Sequence, residues 1–294
     1  MQLGQRRVET SAIAAFAPVV PLIPLAALSL AAFWWPIQLV VDVSLPMFEL
    51  GYLVSGLVLF LRPVQRLVLT RLLGARRPDA EERARLDTAW RSVVQAARLP
   101  PQRYVLAVLP ADDLNAFACG GHLVVVTSRA VHTLPRDELS GVLAHELSHH
   151  LGLHTVALTL AQWLSIPVLV LARLGFFLQN VATAATSSFV SHSAALTALG
   201  RIVAALLTAV SWVLLAGLIA ANTIGNITGR GAEFQADERA VAMGFGRELS
   251  SALRRVIADG GAERPMTWRQ RVTASHPSAR TRVARIDAAR RRVA

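Results

Sequence analysis

The strongest chemical signal in this 294-residue chain is the run His-Glu-Leu-Ser-His at positions 145–149. On a helix, His145 and His149 lie four residues apart and project from one face, so both imidazoles can bind the same metal ion. Zinc accepts neutral imidazole nitrogen and lowers the pKa of its bound water to about 7. Glu146 stands where its carboxylate can take a proton from that water and pass it to a leaving amine. The spacing therefore predicts a catalytic zinc site of the metalloprotease type.

A catalytic zinc site of this kind needs a third protein ligand. The extended metzincin motif would place a histidine at position 155, which is Thr155. Glu233 and Asp237 lie four residues apart in a later polar segment, so on a helix they share one face. Taken alone, these acids fit an ordinary helix surface paired with Arg230 or Arg239. Because the first motif lacks a third ligand, we favour Glu233 as that ligand, with Asp237 accepting a hydrogen bond from a ligand imidazole.

Both motifs lie in a chain whose charged residues are few and unevenly placed. Charged residues make up 17% and hydrophobic residues 53%, whereas soluble domains carry about 25% charged residues. Apolar stretches of about 20 residues predict membrane-spanning helices. We predict about four of them, at residues 11–41, 45–61, 155–172 and 202–221. This pattern excludes a soluble single-domain protein and a disordered one.

The basic residues indicate how the chain is oriented in the membrane. The formal net charge is +11, but the arginines flank the apolar segments, as the positive-inside rule expects, so we expect no nucleic-acid partner. Arginines are absent from the link between the first two predicted spans and frequent after the second, at positions 62, 66, 71, 76 and 77. We therefore expect the N-terminus, the catalytic segments and the C-terminus on the cytoplasmic side. Cys119 is the single cysteine in the sequence, which excludes an intramolecular disulfide.

The polar segments carry the patterns of a small folded domain. Helical periodicity runs over residues 79–99 and 135–154, and two short β-branched runs at 104–109 and 122–127 predict strands. The fold expected is an α-helical membrane protein with a mainly helical α+β catalytic domain that carries a small sheet. We place its boundaries as follows: a transmembrane hairpin at 1–62, a first catalytic part at 63–154, a second transmembrane pair at 155–222 and a second catalytic part at 223–294. The stretch 174–200 would be an extracytoplasmic loop, or equally a re-entrant or amphipathic helix.

Five motifs in order resemble one family, the HtpX-like membrane zinc endopeptidases, which includes the CAAX-prenyl-protein endopeptidases. The resemblance covers about residues 80–290. The motifs are Asn115–Gly120 with the strand ending at Thr127, Glu138-Leu139, His145–His149, Glu233–Asp237, and Ser275-His276-Pro277 with Arg282.

The resemblance implies a zincin-like domain holding one Zn²⁺ per chain. His145, His149 and Glu233 would be its ligands, Glu146 the general base, and Asp237 a hydrogen-bond partner of a ligand. His276 would stabilise the oxyanion of the tetrahedral intermediate. The segment formed by Asn115, Ala116, Phe117 and Ala118 would be a sheet edge to which an extended protein or peptide substrate adds as a further strand.

For the whole protein, the resemblance implies an integral-membrane zinc endopeptidase of the bacterial plasma membrane, acting in quality control of membrane proteins. The oligomeric state stays open. One alternative is a BlaR-type signalling metalloprotease that cleaves a cytoplasmic repressor, but residues 174–200 are too few for a sensor domain. Another alternative is a non-catalytic zinc-containing membrane scaffold, in which Glu146 would have no use.

Overall fold

The computed structural model describes residues 13–189, 193–261 and 278–293, which fall into two compact units. The first unit contains residues 13–17, residues 55–159 and the described residues from 225 onwards. The second unit contains residues 18–54 and the described part of 160–224. All described candidate site residues belong to the first unit, whereas His276 lies outside the described residues.

Helix α4 (Ala80–Ala96) forms one side of the core of the first unit. It begins at a capping box, in which the Asp79 side chain accepts the backbone N–H of Glu82 and the Glu82 carboxylate accepts that of Asp79. Leu86, Trp90 and Val93 recur at helical spacing and are buried against the helix that carries the His-Glu-x-x-His motif. The helix predicted from this periodicity is therefore present.

A three-stranded sheet lies beside α4, with the strand order β1-β3-β2. Strands β1 (Val105–Leu109) and β3 (Leu123–Thr127) are parallel and pair from Val105 opposite Leu123. Strand β2 (Ala116–Cys119) is antiparallel to β3 and pairs from Ala116 opposite Val126. Every residue of β3 is buried because this strand lies in the middle of the sheet. Both predicted strands are present, and the segment predicted to form a sheet edge contains β2 at the edge of the sheet.

Helix α5 (Ser128–Thr133) follows β3 directly and leads into α6 (Arg136–Leu151), which carries the motif. Asp137 and Glu138 occupy the first turn of α6, where the helix dipole favours negative charge. The chain then turns at Gly152 and Leu153, and Leu153 has a positive φ of 59°. Helix α7 (His154–Phe189) begins immediately afterwards, so the predicted helix at 135–154 is two helices separated by a tight turn.

After α8 (Ala194–Ala242), the shorter helices α9 (Gly246–Val256) and α10 (Ala279–Val293) complete the described part of the first unit. Helix α9 packs against both α6 and α10. Gly141 of α6 allows this close approach, because a Cβ atom at that position would meet the backbone of Leu249 and Glu248 on α9.

The apolar helices differ from the four predicted spans. Helices α7 and α8, of 36 and 49 residues, are long and apolar enough to cross a membrane, and they contain the predicted spans at 155–172 and 202–221. Helix α2 (Leu45–Phe60) and helix α3 (Arg62–Leu72) meet at a bend of 69°. They are long and apolar enough to cross a membrane only when they are counted together as one span. The described residues therefore contain two or three such helices rather than four. The stretch 174–200, expected as a loop or as a re-entrant or amphipathic helix, is the end of α7 and the start of α8 on either side of its undescribed residues.

The first predicted span, at 11–41, is not one continuous helix where it is described. Turns occupy residues 16–21, and α1 (Leu22–Ile37) has 16 residues, fewer than the roughly 20 that cross the hydrocarbon core. Pro18 and Pro21 lie in this turn region. Proline lacks a backbone N–H and disfavours a helical conformation of the residue before it, which accounts for the late start of α1.

A side-chain hydrogen bond of Gln65 and a backbone pairing of Arg76 join parts of the first unit that are distant in sequence. Gln65 of α3 is fully buried, and its Oε1 accepts the backbone N–H of His122 at 3.0 Å, just before β3. Arg76 pairs through its backbone with Val108 of β1, and its guanidinium donates to both carboxylate oxygens of Glu82 at 2.6 and 2.7 Å.

The buried Glu82 carboxylate gives the first unit a predictable pH dependence. The hydrogen bonds from Arg76 hold the pKa of Glu82 below its usual value, although burial opposes this shift. A carboxylate with a lowered pKa stabilises the fold above its unfolded pKa and loses this contribution as the pH falls through its folded pKa. We expect Glu82→Gln to destabilise the protein by about 1–3 kcal/mol at pH 7, and the difference from wild type to close below about pH 4. Thermal unfolding of the detergent-purified protein at both pH values measures this.

Glu81→Gln is the matched control, because Glu81 is on the same helical turn and largely exposed. It should leave the melting temperature nearly unchanged. A Glu82→Gln protein that melts at the wild-type temperature at pH 7 would contradict a stabilising role for this ion pair.

Candidate metal centre

Helix α6 presents the two histidines of the motif on one face, as their spacing requires. The Nε2 atoms of His145 and His149 lie 3.2 Å apart, with the two rings nearly perpendicular. His145 is 4% exposed, and His149 is more accessible. Two imidazole nitrogens thus converge on one point at the end of α6 that precedes the turn into α7.

Glu233 approaches the same point from α8. Its Oε1 lies 3.2 Å from Nε2 of His149, and its Oε2 lies 3.4 Å from Nε2 of His145. The carboxylate is buried, with 3% of the residue exposed. Three potential ligand atoms from two helices therefore surround one small volume, within 4.8 Å of one another.

The spacing of these three residues fits a metal ion. Zinc binds nitrogen and oxygen ligands at about 2.0–2.2 Å in tetrahedral geometry, which places neighbouring ligand atoms about 3.3–3.6 Å apart. The distances of 3.2, 3.2 and 3.4 Å match this separation closely. The donor set of two imidazoles and one carboxylate is also one that zinc accepts. These residues are therefore able to hold such an ion.

Asp237 lies one turn after Glu233 on α8 and contacts the far side of the His145 ring. Its Oδ1 is 2.9 Å from Nδ1 of His145. In the neutral ring, an Nδ1–H donated to this carboxylate leaves the Nε2 lone pair directed at Glu233 and His149. Burial and the charge of Arg282 lower the pKa of His145, but hydrogen bonds to Asp237 and Glu233 outweigh them and raise it to about 9. The surroundings of this ring therefore favour positive charge.

Arg282 of α10 joins the two acidic residues of α8. Its Nε and Nη2 donate to Oδ2 and Oδ1 of Asp237 at 3.0 and 2.7 Å, and its Nη1 lies 3.3 Å from Oε2 of Glu233. Only 9% of Arg282 is exposed. The family resemblance placed Arg282 in a C-terminal motif but assigned it no role. Its part in balancing the charge of these buried carboxylates is visible only in the structure.

Glu146 is buried beside this cluster, with 6% of the residue exposed. Burial raises the pKa of its carboxyl above the usual value, while the neighbouring His145 and His149 act in the opposite direction. A raised pKa makes a carboxyl better suited to accept a proton and return it.

His150 is adjacent to the motif but faces away from the cluster. Its Nε2 donates to the carbonyl oxygen of Leu123 at 3.1 Å, and its Nδ1 lies 3.1 Å from Oγ1 of Thr155. Burial lowers the pKa of His150 to about 4, so the ring is neutral and Nδ1 accepts the threonine hydroxyl. His150 therefore links α6 to β3 and to the start of α7, a role that the sequence did not indicate.

The predicted substrate-binding segment lies next to α6. Ala116, Phe117 and Ala118 belong to β2, whose described partner is β3 alone, and Asn115 immediately precedes it. Thr127 holds this segment in place, because its hydroxyl donates to the carbonyl of Asp113 and its Oγ1 accepts the N–H of Asn115. Strand β2 packs against α6, so a free strand edge lies beside the helix that carries the motif.

The sequence model of peptidase family M48 matches residues 80–290, which is more than half of the chain. This chain belongs to peptidase family M48. The match contains both motifs of the cluster, from α6 and α8, and it confirms the family resemblance inferred from the sequence.

Several proteins similar to this chain carry the name HtpX. Protease HtpX of Shewanella oneidensis is 39% identical over 88 residues, which make up 29% of this chain and 30% of that protein. A protease HtpX homolog of Thermococcus sibiricus is 35% identical over 103 residues, covering 34% of this chain and 35% of the relative. These alignments span only about a third of the relatives' own length.

The fold of this chain is similar to that of a solved structure. The crystal structure of S. mikatae Ste24p superposes with a TM-score of 0.53 at 20% sequence identity, covering 98% of this chain and 66% of that one. At this identity the likeness concerns the fold. It confirms the predicted fold class, a mainly helical membrane protein with a small sheet.

Proposed function

We propose that this protein is an integral-membrane, zinc-dependent endopeptidase. The observation that carries the proposal is the triangle formed by His145, His149 and Glu233, whose edges match the ligand spacing of one tetrahedral zinc ion. Membership of a peptidase family supports hydrolysis of a peptide bond as the reaction. One Zn²⁺ per chain would be held by these three residues, with Asp237 fixing the tautomer of His145.

The residues of this chain have distinct tasks in the proposed reaction. When bound, zinc lowers the pKa of a coordinated water and polarises the carbonyl to be cleaved. Glu146 accepts the proton of the attacking water at its carboxylate and then delivers it to the nitrogen of the leaving amine. Its burial, which raises its pKa, suits both transfers. His276 would donate a hydrogen bond to the oxyanion, as the family resemblance implies.

Strand β2 is proposed to position the substrate. An extended peptide that pairs with Asn115–Ala118 would run beside α6 and acquire main-chain hydrogen bonds that do not depend on its side chains. Such binding suits cleavage of many unrelated proteins. We therefore propose membrane proteins as substrates and their quality control as the biological role.

The proposed site faces the cytoplasm from a bacterial plasma membrane. The support comes from the arginines that follow the second apolar segment, since basic residues concentrate in cytoplasmic segments. Arg62, Arg66 and Arg71 lie within α3, and Arg76 and Arg77 follow it.

Metal content and casein hydrolysis of the detergent-purified wild-type protein test this function. We expect about one zinc per chain, cleavage of casein, loss of cleavage after treatment with a chelator, and recovery when zinc is added back. Cleavage that persists in the fully metal-free protein would refute the zinc mechanism. Bound zinc without cleavage of casein or of any membrane-protein substrate would favour the scaffold alternative.

A further inference from the structure

A cleft beside α3 contains an unusual concentration of arginine. It has a volume of about 480 Å³ and is lined by residues of α3, α4, β1 and the segments between them. Five arginines line it, with Asp87 as the one acidic residue among its lining groups; they are Arg62, Arg66, Arg77, Arg83 and Arg91. The cleft shares no residue with the metal centre.

The positive charge of this cleft is not balanced within the described part of the chain. None of its five arginines forms an ion pair there, and two of them donate only to backbone carbonyls, Arg62 to Gln102 and Arg83 to Pro78. The nearby Arg76, by contrast, is held by both oxygens of Glu82. Several guanidinium groups that face one cleft repel one another, and an anion with several oxygens would relieve that repulsion.

The surface next to the cleft is apolar, although α3 itself carries arginines. Leu61, Leu67, Val68 and Leu72 have 53%, 50%, 47% and 77% of their surface exposed. Helix α3 is held to the first unit by the buried Gln65, which accepts a hydrogen bond from the backbone N–H of His122. A helix with exposed leucines and flanking arginines, placed directly after an apolar helix, is typical of the boundary between lipid tails and headgroups.

The inner wall of the cleft is partly apolar. Trp90 and Tyr104 are buried there in an edge-to-face contact with ring centres 5.8 Å apart, and Leu86 lies beside them. The cleft thus offers guanidinium groups for an anionic oxygen cluster and an apolar wall for carbon atoms attached to it. This combination fits a phosphodiester with a glycerol backbone better than a free inorganic ion.

We propose that this cleft binds the phosphate headgroup of an acidic phospholipid, such as phosphatidylglycerol. Arginines of the cleft would contact the phosphate oxygens, while the exposed leucines of α3 lie among the acyl chains. The site would hold the first unit at the membrane surface through α3. This inference does not depend on the proposed peptidase activity, because no residue of the metal centre takes part.

The experiment measures phosphatidylglycerol bound by the full chain in a zwitterionic detergent, using native mass spectrometry with phosphatidylcholine as the neutral comparison. The test variant is Arg66→Gln/Arg77→Gln. The matched control is Arg71→Gln/Arg136→Gln, which removes the same charge from exposed arginines outside the cleft. Each arginine near an acidic lipid contributes about fivefold to the affinity. We therefore expect roughly 25-fold weaker phosphatidylglycerol binding in the test variant and little change in the control. Melting temperatures of both variants verify folding.

Three results would overturn the proposal. Equal losses in the two double variants would mean that the lipid responds to overall charge and not to the cleft. Equal binding of phosphatidylcholine and phosphatidylglycerol would remove the requirement for an acidic lipid. Finally, millimolar inorganic phosphate could displace phosphatidylglycerol from the wild-type protein and fail to bind the test variant. That result would identify free phosphate as the occupant instead of a lipid.

Discussion

Replacing Glu146 with glutamine is expected to lower the rate of casein hydrolysis by about 10²- to 10⁴-fold, the usual contribution of a general base. Glutamine keeps the size of the side chain but cannot accept the proton of the attacking water. Zinc content should stay at the wild-type level, because Glu146 is not among the three residues whose atoms converge. Side-by-side measurement of bound zinc and initial cleavage rates separates these two effects.

The control for this variant is Glu81→Gln, which makes the same chemical change at an exposed position of α4. It should retain both zinc and activity. A Glu146→Gln preparation that is free of wild-type enzyme and cleaves casein at more than about a tenth of the wild-type rate would remove Glu146 from its proposed role. Loss of zinc together with activity would instead mean that Glu146 supports the metal site.

Replacing Glu233 with alanine is expected to weaken zinc binding by at least about 100-fold, more than the usual cost of losing a residue that only contacts a ligand. Its two oxygens lie 3.2 and 3.4 Å from the imidazole nitrogens, so its removal leaves two ligands where a stable site requires three. The fold should tolerate the change because Asp237 still accepts two hydrogen bonds from Arg282. Competition with a chromophoric zinc chelator measures the affinity.

Glu238→Ala is the matched control for this second variant. Glu238 lies on the same helix but has a side chain that is 57% exposed and 3.7 Å from Arg285. Its zinc affinity should equal that of wild type, and both variants should melt within a few degrees of it. Unchanged zinc affinity in Glu233→Ala would mean that the third ligand lies elsewhere and that the proposed set of three ligands is wrong.

The placement of the proposed site residues on their own helices could be predicted from the sequence. The spacing of His145 and His149 places both rings on one helix face whatever surrounds the helix, because the α-helical repeat of 3.6 residues determines it. The same argument places Glu233 and Asp237 together on α8. Strands β1 and β3 followed from short β-branched runs bounded by turn residues, and the family from motifs in a fixed order.

The extent of the apolar helices could be predicted only in part. Low charge and high hydropathy are shared by helices that cross a membrane and by apolar segments that break, so composition alone does not locate a helix end. In the 11–41 segment, residues 16–21 form turns, and α1 begins only at Leu22. In α7, by contrast, Pro167 lies inside a continuous helix, because the packing around a helix can compensate for one missing hydrogen bond.

The sequence by itself determined which residues share a helix face and which side chains we propose for the chemistry, since these properties depend on spacing over a few residues. Only the tertiary structure decided how the faces meet. It brings Glu233 between the two imidazoles, sets Asp237 behind His145, and inserts Arg282 from α10 between the two acids. It also turns His150 away to bind Leu123. These contacts join separate elements, and their distances depend on the packing of whole helices, which no local pattern in the sequence encodes.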